Sequence, residues 1–244
     1  MNYIEKWRKN FGDLKGFILA GHSLGGYLAG HYAVRYPQYI KKLLLLSPIG
    51  VRATPEEGTH RGTTRTNDGE EGDIAPWLKP VLDVVWNGKV SPMGEGRFFG
   101  QRQTMQHLSD FIKVRFKEIQ EEEERQALID YMYQITMRDG TTDCAVQVMF
   151  NSNLSAKCPL GTHDKLASPE FSTPVSFFYG DTDWAAQVEE DAPHKCLKQN
   201  KRLHCDQSNY YVVYNSGHSM HMDNPKELAS LIIYDVFGEE FTFR

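Results

Sequence analysis

Apolar and polar positions near the start of the chain follow two different rhythms. Tyr3, Ile4, Trp7 and Phe11 recur at helical spacing, and Gly12-Asp13 then breaks the pattern. Phe17 to Ala20 form a short unbroken apolar run, which reads as a buried strand, and Leu24 to Tyr36 reads as a helix ended by Pro37. Leu43 to Leu46 form a second unbroken run, in "KKLLLLSP". Continuous rather than alternating runs suit parallel strands covered on both faces. Strand, helix and strand in so short a span point to a doubly wound α/β architecture.

The rhythm is lost after about Gly50. "VRATPEEGTHRGTTRTNDGEEGD" is rich in Gly, Thr and charge and reads as a surface excursion or a partly disordered stretch. Ala75–Asn87 and Thr104–Gln134 look helical, and the acidic run in "KEIQEEEERQ" reads as a solvated helix face. Trp77, Trp86, Phe98, Phe99, Phe111 and Phe116 give this region a heavy apolar content, for core packing or for a greasy pocket. The α/β pattern returns with strands over Val175–Tyr179 and Tyr210–Tyr214. A last helix starts at Pro225, with Leu228, Leu231, Ile232 and Val236 on one face. Three segments result: 1–50 and 171–244 as parts of an α/β core, and 51–170 as a mostly helical insertion.

Composition changes this picture little. With 244 residues and 40% apolar content the chain can bury a real core, and no run is long enough to cross a bilayer. A net charge of −5 argues against a nucleic-acid surface. Cys144, Cys158, Cys196 and Cys205 form no CxxC pair and no zinc-like cluster. Their even count permits disulfides, but a chain of this size needs no staples, and reduced thiols in an intracellular protein are the preferred reading. Asn153-Leu154-Ser155 fits the glycosylation pattern but changes nothing else. The opening residues carry no signal-peptide pattern, and no cofactor or metal is expected.

The chemistry sits just past the strands. Gly21-His22-Ser23-Leu24-Gly25 is a G-x-S-x-G frame between strand and helix, the setting of a nucleophile elbow. Serine needs a base to take its proton. His218 follows Gly217 beyond a strand, and His221 is three residues on, either exposed or a local hydrogen-bond partner. Asp183 or Asp181 would orient the imidazole, with Asp183 preferred and Asp181 left as a turn former. Leu24 N–H, at a helix start, would donate to an oxyanion, and His22 would support the elbow. Any side chain at Gly21 or Gly25 would crowd the turn. The bland alternative is a structural turn with no chemistry.

"GHSLGGYLAGHYAVRYPQYIKKLLLLSPIG", "FFYGDTDW" and "GHSMHMD" carry a resemblance. The chain resembles the α/β-hydrolase superfamily, and more closely the abhydrolase-domain group related to comparative gene identification-58 and its yeast mitochondrial phospholipase relatives. "PWLKPVLDVVWNGKVSP" and "YMYQITMRDG" resemble the cap of these proteins. The resemblance implies a serine hydrolase or acyltransferase acting on phospholipid or other lipid acyl esters, with Ser23, Asp183 and His218 as its triad. It also implies a lipid or membrane surface, mitochondrial or otherwise intracellular. His218 and Asp223 match the group's His-x4-Asp motif, linked to lysophospholipid acyl transfer.

One departure from the group is at the front. Members of the group have several strands ahead of the nucleophile strand and a loop that supplies a second oxyanion donor. Here one helix-like segment precedes Phe17, so the fold reads as an incomplete α/β-hydrolase, either truncated at the front or completed by a separate polypeptide, with a second chain expected to cover the edge near Phe17–Ala20. Loss of one oxyanion donor costs roughly 10²–10³ in rate. The alternative function is a non-catalytic structural or interaction subunit of hydrolase ancestry within a larger assembly.

Overall fold

The computed structural model describes residues 2–53, 63–65, 71–73, 86, 88, 97, 100–116, 119–138, 143–152, 155–204 and 207–238. Two compact units divide the chain, one formed by Met1–Thr54 with Cys158–Arg244 and the other by Pro55–Lys157.

Along the chain, helix α1 (Asn2–Asn10) leads to β1 (Phe17–His22), α2 (Leu24–Arg35), a 3-10 turn (Pro37–Tyr39) and β2 (Ile40–Leu46). The second unit carries β3 (Thr63–Arg65), β4 (Glu71–Asp73), α3 (Gln101–Arg115), α4 (Glu122–Met137) and α5 (Asp143–Met149). The first unit resumes with β5 (Val175–Gly180), α6 (Trp184–Glu189), α7 (Ala192–His204), β6 (Tyr210–Val213), α8 (Met220–Asp223) and α9 (Pro225–Phe237).

β1, β2, β5 and β6 form one parallel sheet in that order. Every residue of β5 is buried, and Leu43, Leu44 and Leu45 of β2 are buried with it, as continuous apolar runs in an inner parallel strand require. On one face, Leu44, Phe178, Val213, Met220 and Leu228 form a cluster against which Leu231, Ile232 and Val236 of α9 pack. Asn224 caps α9 by accepting from Glu227 N–H, and Pro225 takes the first helical position, where no N–H is needed.

All four expected core strands are present. However, β1, expected to be buried, has Ile18 and Ala20 exposed because it lies at the sheet edge, and β2 begins at Ile40 and includes two lysines. Lys42 is buried and pairs with the buried Asp235 of α9 at 2.7 Å. The Asp235 Oδ1 atom also accepts from Ser176, Asn209 and Tyr211, which ties the last helix to three strands or their flanks.

α1 departs from its apolar pattern. Tyr3 is 90% exposed, and Trp7 and Phe11 also face outward, stacked on each other. The buried residue is Arg8, whose guanidinium lies over the Tyr39 ring and pairs with Glu5 and Asp13. Glu5 in turn accepts from Tyr32 OH at 2.8 Å. A satisfied cation, rather than an aromatic, fastens the helix to α2 and the turn after it.

In the second unit, the expected helix over Thr104–Gln134 is two helices. α3 ends at Phe116, whose N–H returns to Ile112, and the buried Ile119 precedes Glu121, which starts α4 in an extended conformation. Glu122, Glu123 and Glu124 are exposed, as expected, but they occupy the first turn of α4, where negative charge complements the helix dipole. Within the Gly- and Thr-rich stretch, β3 and β4 pair antiparallel. The expected helix at Ala75–Asn87 lies outside the described residues except for Trp86, as do Trp77, Phe98, Phe99, Asn153 and Cys205. Cys144, Cys158 and Cys196 are free thiols.

Candidate active site

Ser23 stands between β1 and α2 with φ 54° and ψ −122°. A positive φ is uncommon for a residue with a side chain, and it turns the chain sharply from strand into helix. Ser23 N–H donates to Leu46 O at 2.9 Å, so the elbow is pinned to the neighbouring strand. Leu24, the first residue of α2, has an N–H of the kind that finds no acceptor within its helix.

The glycines of the frame differ. A Cβ at Gly21 would lie 2.4 Å from Gly25 O, so only glycine fits there. At Gly25 a Cβ would meet nothing within 4 Å, which corrects the expectation that both positions are crowded. Close approach at the other side of the turn belongs instead to Gly26, whose Cβ would lie 3.0 Å from Pro48.

His218 lies in the loop between β6 and α8. Its Nε2 is 2.8 Å from Ser23 Oγ, and its Nδ1 is 3.1 Å from Asp183 Oδ1. Asp183 follows β5, is buried, and caps α6 by accepting from Ala185 N–H at 2.9 Å. Asp181 is exposed and accepts from Ser216 N–H, which together with neighbouring backbone donors holds its carboxyl below the usual range. The structure thus brings Asp183, and not Asp181, to the histidine. Trp184 packs against one side of the His218 ring, with centroids 4.6 Å apart.

His22 reaches the histidine loop. Its Nε2 lies 2.7 Å from His218 O, and because that partner is a carbonyl, Nε2 carries the proton and donates. Burial pushes the His22 pKa down, which favours this neutral form. The His221 ring stands edge-on to His22 at 4.8 Å and is exposed. Asp223 Oδ2 accepts from Gly217 N–H at 2.9 Å, so this carboxylate braces the backbone beside His218.

Two further side chains went unnoticed in the sequence. Ser47, just past β2, contacts both Asp183 and His218 Nδ1. Glu189, 2% exposed, accepts from the backbone N–H groups of Gly50 and Arg52 and so anchors the loop that follows Ser47. Burial outweighs those donors and raises the Glu189 pKa to about 7. The signal for Ser47 was its place directly after an apolar strand run, and it points to the site only once β2 lies beside β5. Glu189 carried none.

The α/β-hydrolase family model matches residues 4–231. The chain belongs to this family. This α/β-hydrolase is 26% identical over 245 residues to the 1-acylglycerol-3-phosphate O-acyltransferase ICT1 of Saccharomyces cerevisiae, covering 94% of this chain and 57% of that protein. An Arabidopsis thaliana 1-acylglycerol-3-phosphate O-acyltransferase is 27% identical over 236 residues, covering 95% and 51%. The human (lyso)-N-acylphosphatidylethanolamine lipase is 28% identical over 183 residues, covering 74% and 48%. The chain spans about half the length of these curated relatives. Among solved structures, the α/β-hydrolase MGS-M2 from a Medee basin deep-sea metagenome library superposes with a TM-score of 0.54 at 14% identity, over 100% of this chain and 72% of that one. A bacterial membrane phospholipase A gives 0.54 at 19%, over 96% and 61%. At such identities these two likenesses concern the fold.

The elbow geometry separates its two glycines experimentally. Gly21→Ala should destabilise the protein in urea unfolding by about 1–3 kcal/mol, the usual cost of overpacking. Gly25→Ala should stay within about 0.5 kcal/mol. Equal losses in both would contradict the steric reading.

Proposed function

We propose that this α/β-hydrolase is a serine hydrolase or acyltransferase that acts on phospholipid or other lipid acyl esters through Ser23, His218 and Asp183. The observation that carries the reading is the single line of contacts from Ser23 Oγ through both His218 nitrogens to Asp183. The lipid acyltransferase and lipase names of its relatives support the substrate class.

In this mechanism Ser23 Oγ attacks the acyl carbonyl as His218 Nε2 takes its proton. Asp183 holds the Nδ1–H tautomer and stabilises the imidazolium. Leu24 N–H faces the developing oxyanion. The imidazolium then returns the proton to the leaving alcohol, and an acyl-serine remains. Water activated by His218 releases the fatty acid, whereas a lysophospholipid hydroxyl at the same place yields acyl transfer. Asp223 acts indirectly, by fixing Gly217 and with it the histidine loop. The substrate class places this chemistry at a membrane or lipid surface, although among the described residues no helix is long and apolar enough to cross a membrane.

A fluorophosphonate probe should form a covalent adduct at Ser23, read by peptide mass spectrometry, and Ser23→Ala should abolish it. A folded protein that gives no Ser23 adduct would favour the non-catalytic subunit instead.

We also propose that a further polypeptide strand covers β1. Among the described residues β1 bonds only to β2, and Ile18 is exposed on it. An open apolar edge of this kind is a template for pairing. Hydrogen exchange at the outward-facing β1 amides should be slow only in a species heavier than one chain. Slow exchange in a monomer would count against a covering partner.

A further inference from the structure

We propose that Ser47 is a positioning residue of the same site, a fourth member that holds the His218 ring in its working orientation; this rests on the triad reading above. The Ser47 hydroxyl donates its one hydrogen to Asp183 Oδ2. Its oxygen lies 2.9 Å from His218 Nδ1, and with its hydrogen committed to the carboxylate it can only accept there. His218 Nδ1–H therefore faces two acceptors, Asp183 Oδ1 at 3.1 Å and Ser47 Oγ at 2.9 Å. With the proton held on Nδ1, Nε2 is left bare toward Ser23 Oγ, as a general base must be.

The backbone is arranged to put this hydroxyl there. Ser47 has φ 48°, a left-handed conformation that a side-chain-bearing residue seldom adopts, and it is fully buried. Its N–H donates to Phe178 O at 2.7 Å, carrying the β2–β5 ladder one residue beyond the strand. The next residue, Pro48, offers its carbonyl to the Tyr179 hydroxyl at 3.2 Å. Glu189 holds the loop two residues further on, through Gly50 N–H. Strain of this kind persists only where the surroundings over-determine it, and here what it achieves is the aim of one hydroxyl. The serine also satisfies Asp183, whose Oδ1 serves His218 and Ala185 N–H and whose Oδ2 would otherwise lose its hydroxyl donor.

Ser47 transfers no proton. It keeps its hydrogen on Asp183 while the Ser23 proton moves to Nε2. Its loss should therefore slow the acylation step and leave probe binding alone, because a ring with one Nδ1 acceptor spends less time aligned with Ser23.

The test uses two variants and two readouts. Ser47→Gly suits a positive φ and removes the hydroxyl without strain, while Ser47→Ala removes it and keeps the strain. In fluorophosphonate labelling of Ser23, both should lower the maximal inactivation rate about 10- to 100-fold, as loss of a hydrogen bond to a charged group implies. The probe concentration at half-maximal rate should not move. Independently of any acylation, the His218 Nδ1–H resonance in the proton NMR spectrum should be sharp in the wild type and broadened by solvent exchange in Ser47→Gly. A wild type that shows this resonance but does not label would sink the triad reading and leave the Ser47 contact standing. An unchanged inactivation rate and an unchanged Nδ1–H resonance in a folded Ser47→Gly would overturn the proposal.

Discussion

The parallel hydrogen-bond ladder does not stop where the strands stop, and the arrangement of the site depends on that. The residue after β1 donates from its N–H to the last residue of β2 (Ser23 to Leu46). One residue past β2, Ser47 donates to Phe178 of β5, and one past β5, Asp181 donates to Val213 of β6. The loops that leave β1, β2 and β5 are thereby each held for one more residue against the next strand. Parallel strands end on the same side, so residues distant in sequence, near 23, 47, 183 and 218, emerge together. Loops are ordinarily the mobile part of a fold; here their first residues inherit the rigidity of the sheet.

That rigidity allows polar groups to be buried at low cost. Asp183 is almost wholly removed from water, which would be costly for an unpartnered carboxylate. It is surrounded instead by an imidazole, a hydroxyl and a helix-terminal N–H. Glu189 and Asp223 work one layer out, each spending its carboxylate on backbone N–H groups that fix a loop rather than on the reacting groups. His22 closes the ring by joining the elbow to the histidine's own carbonyl. Ser23 and His218 are linked twice, once through their side chains and once through the frame that carries them.

β2 and β5 were legible because burial on both faces leaves an unbroken apolar run. β1 and β6 carry apolar runs too, although they lie at the edges of the sheet and Ile18 and Val212 are exposed. The start of β2 was not, because Lys42 looks like a solvent residue until Asp235, far along the chain, is brought beside it. The same reason hid the burial of Arg8, whose partners Glu5, Asp13 and Tyr39 matter only once α1 is seated. The break between α3 and α4 left no Gly or Pro to announce it. In the site, Ser23, Asp183 and His218 were readable since each follows a recognisable strand and has a distinctive residue type. Ser47 also follows a strand, but a serine before proline is ordinary. Its meaning depends on β2 lying beside β5, which no local pattern encodes.

The central claim is that Asp183, through His218, makes Ser23 reactive, and that the neighbouring Asp181 does not. The second-order rate of Ser23 labelling by a fluorophosphonate, compared in Asp183→Asn and Asp181→Asn, tests it most directly. The account predicts a loss of about 10⁴-fold for Asp183→Asn, as expected when the base is left in the wrong tautomer, and less than tenfold for Asp181→Asn. Equal losses, or a larger loss at Asp181, would contradict it.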